Sequence, residues 1–302
     1  MNKIFKKNHN IEENLIKFDI SDKIVNKVTN FYTESPFPNY EDSDDKSSIN
    51  FKGEKNFLAR EFKKFIGFNK DVLEVGCGTG QISLYFAIGT NNRIFALDPT
   101  IASINLGKEF SKKNKIENVK FINADIFDDI FNDEVFDFIW TNGVLHHTKE
   151  PSQAFDTITR YLKKNGFILV GLYNKYGRLR TIFRRYLYKL FGRQIVMFLD
   201  PILRKTKRNN IKQIDSWIRD QYEHPVESLH TLDEVLFWFK QNNIEFISSI
   251  PNSDFSNSSL KNIFNRSSKG TFLSRLFSQI MMLFNNLGSD GGLFIVIGKK
   301  NG

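Results

Sequence analysis

VLEVGCGTG, Val72 to Gly80, passes from an apolar strand pattern into a turn built on three alternating glycines, and a helical pattern follows. Glycine permits both the sharp turn and a close approach of backbone to a ligand. The helix that follows presents unpaired N–H groups at the same place. A dinucleotide-binding turn has the spacing G-x-G-x-x-G, with its helix dipole aimed at a pyrophosphate. Here the spacing is G-x-G-x-G, and Gln81 stands where that motif needs Gly or Ala. Glu74, just ahead of the turn, suits a cationic ligand group and repels a pyrophosphate.

Around this stretch, β-rich apolar runs at Asp71–Val75, Arg93–Leu97, Val119–Ile122, Phe136–Trp140 and Gly166–Leu172 alternate with helical patterns at Gly80–Ala87, Thr100–Lys113 and Pro151–Lys163. Such alternation predicts a parallel sheet with right-handed crossovers. The pattern resumes near the C-terminus, with a helix at Leu232–Asn243, a strand at Ile244–Ile250, a polar Ser/Asn-rich loop, an amphipathic helix at Phe272–Phe284 and a last strand at Gly292–Gly298. The expected fold is therefore α/β, with a doubly wound, seven-stranded, mostly parallel sheet. Four zones follow: an N-terminal arm (1–50), a cofactor-binding core (51–174), a basic helical insertion (175–231) and the C-terminal part of the α/β core (232–302).

Polar residues fall at the carboxyl ends of the strands, where a doubly wound sheet binds its ligand. Asp98, followed by Pro99, ends the second strand, and an acid there can accept both hydroxyls of a ribose. Asp125 ends the third and can accept from an adenine amino group while Ile126 packs on the ring. Asn142, Gly143 and Val144 end the fourth, where backbone can lie along a sulfonium.

These residues resemble the class I S-adenosylmethionine-dependent methyltransferases. The resemblance covers about Phe57 to Tyr173 and carries over residue by residue: Glu74, Gly76, Cys77, Gly78, Gly80, Gln81, Asp98, Pro99, Asp125, Ile126, Asn142, Gly143 and Val144 stand where that family holds S-adenosylmethionine. FYTESPFPNY (Phe31 to Tyr40), GVLHHTKEP, GLYNKYGR and RDQYEHPVE are similar to strings of a bacterial subgroup that sometimes carries tetratricopeptide repeats. This chain has no repeat, and the resemblance names no acceptor.

His146 and His147 follow the fourth strand, where an acceptor would sit, and are the candidates for base catalysis, since histidine titrates near neutral pH. Tyr173, at the end of the fifth strand, and Arg219, Asp220 and His224 are candidates for holding the acceptor. Tyr32 and Tyr40 of the aromatic arm could close over the site. For each the bland alternative is a cap, a packed aromatic or a surface ion-pair network. His224, Glu227 and His230 do not have a standard zinc spacing, and no metal is expected. Cys77, in a glycine turn, reads as a small residue whose backbone matters.

The charge is uneven. Asn174 to His224 holds thirteen Lys or Arg against four Asp or Glu, which equals the net +9 of the whole 302-residue chain. In Lys175–Arg193 the cations are interleaved with Leu179, Ile182, Phe183, Leu187, Leu190 and Phe191. Such a helix suits packing on the core, an anionic membrane surface, or guarding a pocket for an acidic or lipid-like acceptor. RKTKRNNIK (Arg204 to Lys212) reads as an exposed loop. A single cysteine excludes an internal disulfide framework and fits a reducing cytosol. No apolar run is long enough for a membrane span or signal peptide, so a cytoplasmic location is expected. The leading expectation is a methyltransferase acting on a small molecule. The alternatives are an RNA (tRNA or rRNA) methyltransferase clamped by the basic zone, a nicotinamide-dependent oxidoreductase, which the glycine spacing and Glu74 disfavour, and a non-catalytic cofactor-binding module.

Overall fold

A computed structural model of the chain describes residues 4–6, 10–12, 14–18, 23–34, 36–206, 211–254, 263–285 and 291–302. Ser35 of the aromatic arm, the middle of the expected Arg204–Lys212 loop and most of the Ser/Asn-rich loop lie outside the described residues. In chain order the elements are β1 (Asn10–Glu12), β2 (Leu15–Lys17), α1 (Lys23–Glu34), α2 (Lys46–Lys55), α3 (Phe57–Ile66), β3 (Asp71–Val75), α4 (Gln81–Ala87), β4 (Arg93–Asp98), α5 (Ile101–Lys113), β5 (Val119–Asn123), β6 (Phe136–Asn142), α6 (Pro151–Tyr161) and β7 (Leu162–Tyr173). There follow α7 (Leu179–Phe191), α8 (Arg193–Leu199), α9 (Pro201–Lys205), α10 (Ile211–Ile218), α11 (Leu232–Gln241), β8 (Ile244–Ile250), α12 (Phe272–Met281) and β9 (Leu293–Lys300).

Among the described residues one sheet of nine strands runs in the order β1-β2-β5-β4-β3-β6-β7-β9-β8. All seven expected strands are in it, and the two short strands of the N-terminus extend its edge, β2 parallel to β5 and β1 antiparallel to β2. Pairing is parallel from β5 through β7. The last strand, β9, runs antiparallel between β7 and β8. The order turns from β3 to β4 and β5 on one side, and from β3 to β6 and β7 on the other. This reversal opens a crevice at the carboxyl ends of β3 and β6.

The strands are apolar on both faces because helices cover both. Along β3, Val72 packs in one buried cluster and Leu73 and Val75 in the other. Along β4, Ile94 and Ala96 alternate in the same way with Phe95 and Leu97. Helix starts follow their caps. Asp45 caps α2 in a reciprocal box with Ser48, so the acidic string 41–48 opens a helix. Thr231 and Glu234 do the same for α11. The insertion has a small core of its own, Val196, Leu203, Ile214, Ile218 and Tyr222, and α10 runs into a π-helical turn, Arg219–Glu223. That turn brings Asp220 and Gln221 over the end of β7. No helix among the described residues is long and apolar enough to cross a membrane.

Candidate active site

The glycine turn is shaped by its backbone. Gly78 and Gly80 have φ of +53° and +77°. A Cβ on Gly78 would stand 2.3 Å from the carbonyl oxygen of Phe37, and one on Gly80 2.7 Å from the Phe121 ring. Only glycine fits at either position. The N–H groups of Gly76 and Cys77 donate to the Leu97 carbonyl at the end of β4 (2.8 and 3.0 Å). Asp98 completes the tie, accepting from Gly78 N at 2.8 Å and from Thr100 N at 2.8 Å.

From this turn a cavity of roughly 570 Å³ extends along the carboxyl ends of the strands. Glu74, Gly76, Cys77, Gly78, Gln81, Asp98, Pro99, Asp125, Ile126, Asn142, Gly143 and Val144 all line it. At its other end stand Tyr32, His147, Tyr173, Trp217, Asp220 and Gln221. Gly80 stands behind the wall, where it caps α4 and packs on Phe121. Burial governs the charges. It pushes the Glu74 carboxyl up to about 8, against the hydrogen bond it receives from Ser83. It also raises Asp98, against the bonds from Thr100 and Gly78, and holds the Cys77 thiol protonated.

Two further expected residues serve the arm. Tyr40 donates to the Thr79 carbonyl at 2.8 Å and stacks on Phe110 at 4.4 Å, so it docks the arm and does not face the cavity. Gln81 donates to the Asn39 carbonyl at 3.0 Å, and Thr79 to that of Pro38 at 2.5 Å. Phe37 and Pro38 are thereby laid against the glycine turn and become part of the wall.

The adjacent histidines part company. His147 lines the cavity, and its Nδ1 is 2.7 Å from the Val226 carbonyl oxygen. A carbonyl only accepts, so Nδ1 carries the hydrogen and Nε2 the free lone pair. Its ring lies 3.7 Å from that of His224. Burial pulls His147 below its ordinary value, although Asp220 works the other way. Burial and the neighbouring His147 take His224 down to about 3. His146 is fully buried behind the wall, with the Tyr173 N–H donating to its Nδ1 at 3.3 Å, and does not reach the cavity. The 3-10 turn Leu145–His147 points successive side chains in different directions, so two adjacent histidines do not share a face.

Arg219 also lies outside the wall. Its guanidinium sits 4.9 Å over Phe31 and donates to Glu34 and to the Phe31 carbonyl (2.9 and 3.2 Å), tying α1 to the insertion. His224 packs edge-on to Phe31 behind the same seam. Asp220 does face the cavity, accepting from the Tyr32 hydroxyl at 3.0 Å and from Gln221 Nε2 at 2.8 Å. Gln221 Nε2 also donates to the Tyr173 hydroxyl at 3.0 Å.

Sequence reasoning missed the group that fixes this end. Arg178 is fully buried, lies 3.6 Å over the Tyr173 ring, donates to Gln221 Oε1 at 2.6 Å and is bidentate to Glu227 at 3.2 and 2.7 Å. Arg185 adds a third contact to Glu227 at 2.8 Å. Arg178 is one of thirteen cations in its segment, and nothing in the local pattern sets it apart. Val25 and Val28, which share the wall with Tyr32, were missed as well, although their spacing i, i+3, i+7 on α1 marks one helix face and could have found them. The His224–Glu227–His230 string is divided among other partners, Glu227 with the arginines and His230 with Ser228 and Glu234. Among the described residues no group of acidic, histidine or cysteine side chains is placed to hold a metal.

A doubly wound sheet, a glycine turn at its reversal and a row of strand-end acids define the class I S-adenosylmethionine-binding α/β proteins. A family profile described as "Methyltransferase domain" matches residues 67–224, more than half of the chain. This chain belongs to that family and carries a class I S-adenosylmethionine-dependent methyltransferase domain. Over 125 residues it is 30% identical to a demethylmenaquinone methyltransferase of Staphylococcus aureus, covering 40% of this chain and 51% of that one. The chain spans about half the length of the curated relatives it matches. Among solved structures it resembles PKMT2 from Rickettsia typhi, with a TM-score of 0.57 and 18% identity over 80% of this chain and 52% of that one. It also resembles geranyl diphosphate C-methyltransferase from Streptomyces coelicolor A3(2), solved with S-adenosyl-L-homocysteine, with a TM-score of 0.52 and 12% identity over 93% of this chain and all of that one. At these identities the likeness is one of fold.

The residues fit the cofactor. Acids stand at three successive strand ends along the cavity, and Asn142 Oδ1 is buried without a protein partner.

Proposed function

We propose that this chain transfers a methyl group from S-adenosylmethionine to a small acceptor with an apolar body and a proton-bearing nucleophilic atom. The observation that carries the reading is a single cavity lined by Asp125, Asp98 and the glycine turn and, on the β6 and β7 side, by His147, Tyr173 and Asp220. Glu74 meets the ammonium of the cofactor, Asp98 the ribose, Asp125 and Ile126 the adenine, and Asn142 to Val144 lie along the sulfonium. Bound there, S-adenosylmethionine supplies an activated methyl that leaves as the C–S bond breaks and its electron pair returns to sulfur.

The chain's own part is to orient and deprotonate the acceptor. Val25, Val28 and Trp217 hold its apolar body, and Asp220 and Tyr173 orient its polar end. Nε2 of neutral His147 takes the proton as the acceptor atom bonds to the methyl carbon. Holding the two reactants in line contributes about 7–11 kcal/mol, and a placed base about 10²–10⁴-fold. The acids of this cavity disfavour a phosphate-rich acceptor. With labelled S-adenosylmethionine, label should enter a metabolite or lipid extract and not RNA, and label in RNA alone would overturn the reading.

Two residues give separable readouts. His147→Ala should slow turnover by about 10²–10⁴-fold while leaving affinity for S-adenosylhomocysteine within about threefold. At saturating S-adenosylmethionine the wild-type rate should be flat at neutral pH, because His147 is already neutral there, and should fall in acid as it gains a proton. Glu74 makes binding proton-linked. Its carboxyl, raised to about 8 in the free protein, ionises as an ammonium arrives. Calorimetry of S-adenosylhomocysteine near pH 7 in buffers of different ionisation enthalpy should show close to one proton released, and Glu74→Gln should abolish it. In the free protein the folded state holds this proton between the ordinary glutamate value and about 8. Glu74 therefore removes stability as pH rises through that window.

A further inference from the structure

Helix α7 has one face that nothing in the reaction uses. Leu179, Phe183, Tyr186 and Leu190 are 46%, 62%, 61% and 57% exposed, and Ile182 is 37% exposed. At about 100° per residue these five fall within one stripe roughly 100° wide. Isolated exposed apolar residues are ordinary, but a continuous stripe of five large ones marks an interaction surface. Two cations flank it. Arg180 stands about 100° to one side of the stripe's centre and Lys189 about 80° to the other. Both are exposed, and α7 contains no acid.

The opposite face is fixed to the molecule. Arg184 is buried against Thr181, and Arg185 reaches Glu227 and the Gln221 carbonyl. Arg178, just ahead of the helix, lies on Tyr173 in the cavity wall. The helix therefore cannot roll its apolar stripe inward without breaking the network that shapes the acceptor end.

We infer that α7 is an interfacial helix that seats the protein on a bilayer containing anionic lipid. An apolar stripe between two long cationic side chains is the arrangement that inserts shallowly. Leu, Phe and Tyr enter the acyl boundary, while Lys and Arg bury their stems and keep their charges at the headgroups. Charge selects this occupant over a neutral apolar partner. The segment from Asn174 to His224 carries the whole net +9 of the chain, and cations near an anionic leaflet each add to binding. Seating α7 on a membrane sets the acceptor end of the cavity beside the bilayer, because the helix begins six residues beyond Arg178's stacking partner, Tyr173. The inference does not depend on what the acceptor is.

The test uses the full chain and vesicles. The protein should sediment with vesicles of phosphatidylcholine mixed with phosphatidylglycerol, and about tenfold less with phosphatidylcholine alone. The triple variant Phe183→Ser, Tyr186→Ser, Leu190→Ser should bind the mixed vesicles at least about tenfold more weakly. Arg180→Glu with Lys189→Glu should lose the preference for anionic lipid. All altered side chains are exposed, so both variants should keep wild-type affinity for S-adenosylhomocysteine, which serves as the folding control. No sedimentation of the wild type with the mixed vesicles overturns the inference. So does undiminished binding by the triple variant, or a stable dimer that the triple variant dissolves without any vesicle binding. Its failure leaves the proposed methyl transfer intact, because that is read by label in solution.

Discussion

Replacing Asp98 with alanine should weaken binding of S-adenosylhomocysteine by about 100-fold or more, measured by calorimetry on folded protein. Two losses add at this position. The carboxylate is proposed to hold the ribose, and charge-assisted hydrogen bonds are each worth about 1.5–3 kcal/mol. The same carboxylate pins the turn, since Gly78 N and Thr100 N both donate to it at 2.8 Å. Without it two N–H groups lose their partner and the turn is no longer held open for the ligand. About 2.7 kcal/mol is enough for 100-fold, so one full contact plus loosening of the turn reaches it. Asp98→Asn keeps one acceptor oxygen and should fall between. Unchanged affinity in the alanine variant would remove Asp98 from the proposed cofactor site.

The second large effect concerns stability. Arg178→Leu should lower the unfolding free energy by about 3 kcal/mol, read from urea denaturation at constant slope. Arg178 is fully buried and bidentate to Glu227, whose side chain is itself 7% exposed. Removing the guanidinium leaves Glu227 with Arg185 alone, and leaves Gln221 Oε1 and the Gly291 carbonyl without their donor. Leaving a buried charge underpaired costs more than losing the pair outright. The double variant Arg178→Leu, Glu227→Leu should accordingly be less destabilised than Arg178→Leu alone. Burial works to raise Glu227, but Arg178 and Arg185 prevail and hold it below its ordinary 4.5. Its share of stability is therefore present above 4.5 and is lost as pH falls through the depressed value. If the single variant unfolds at the wild-type urea concentration, the network does not hold the acceptor end together.

The two variants mark a boundary between what sequence order carries and what it does not. The proposed cofactor side was readable because each element is local. A glycine turn, an acid at the end of a strand and the helix that follows are separated by fixed numbers of residues. The parallel sheet then brings all the strand ends to one edge. Glu74, Asp98, Asp125 and Asn142 line one cavity for that reason alone.

The end of the cavity proposed to take the acceptor is assembled from segments far apart in the chain. Tyr32 meets Asp220 across 188 positions, and Arg178 meets Glu227 across 49. Motif reading selected Asp220, Tyr173 and His147, which face the cavity. It could not see that Arg219 and His224, on the same short stretch, face α1 instead. A π-helical turn spaces its side chains unlike an α-helix, and neighbours in sequence therefore diverge in direction. The same limit separated His146 from His147.

By itself, then, the sequence determined the doubly wound sheet, the glycine turn and the row of acids, because strand period, helix period and turn chemistry are properties of consecutive residues. Tertiary structure alone decided which histidine faces the cavity, which of thirteen cations is buried in its wall and which face of α7 is left to solvent. Those outcomes depend on what packs against each side chain, and the packing partners lie tens to hundreds of residues away.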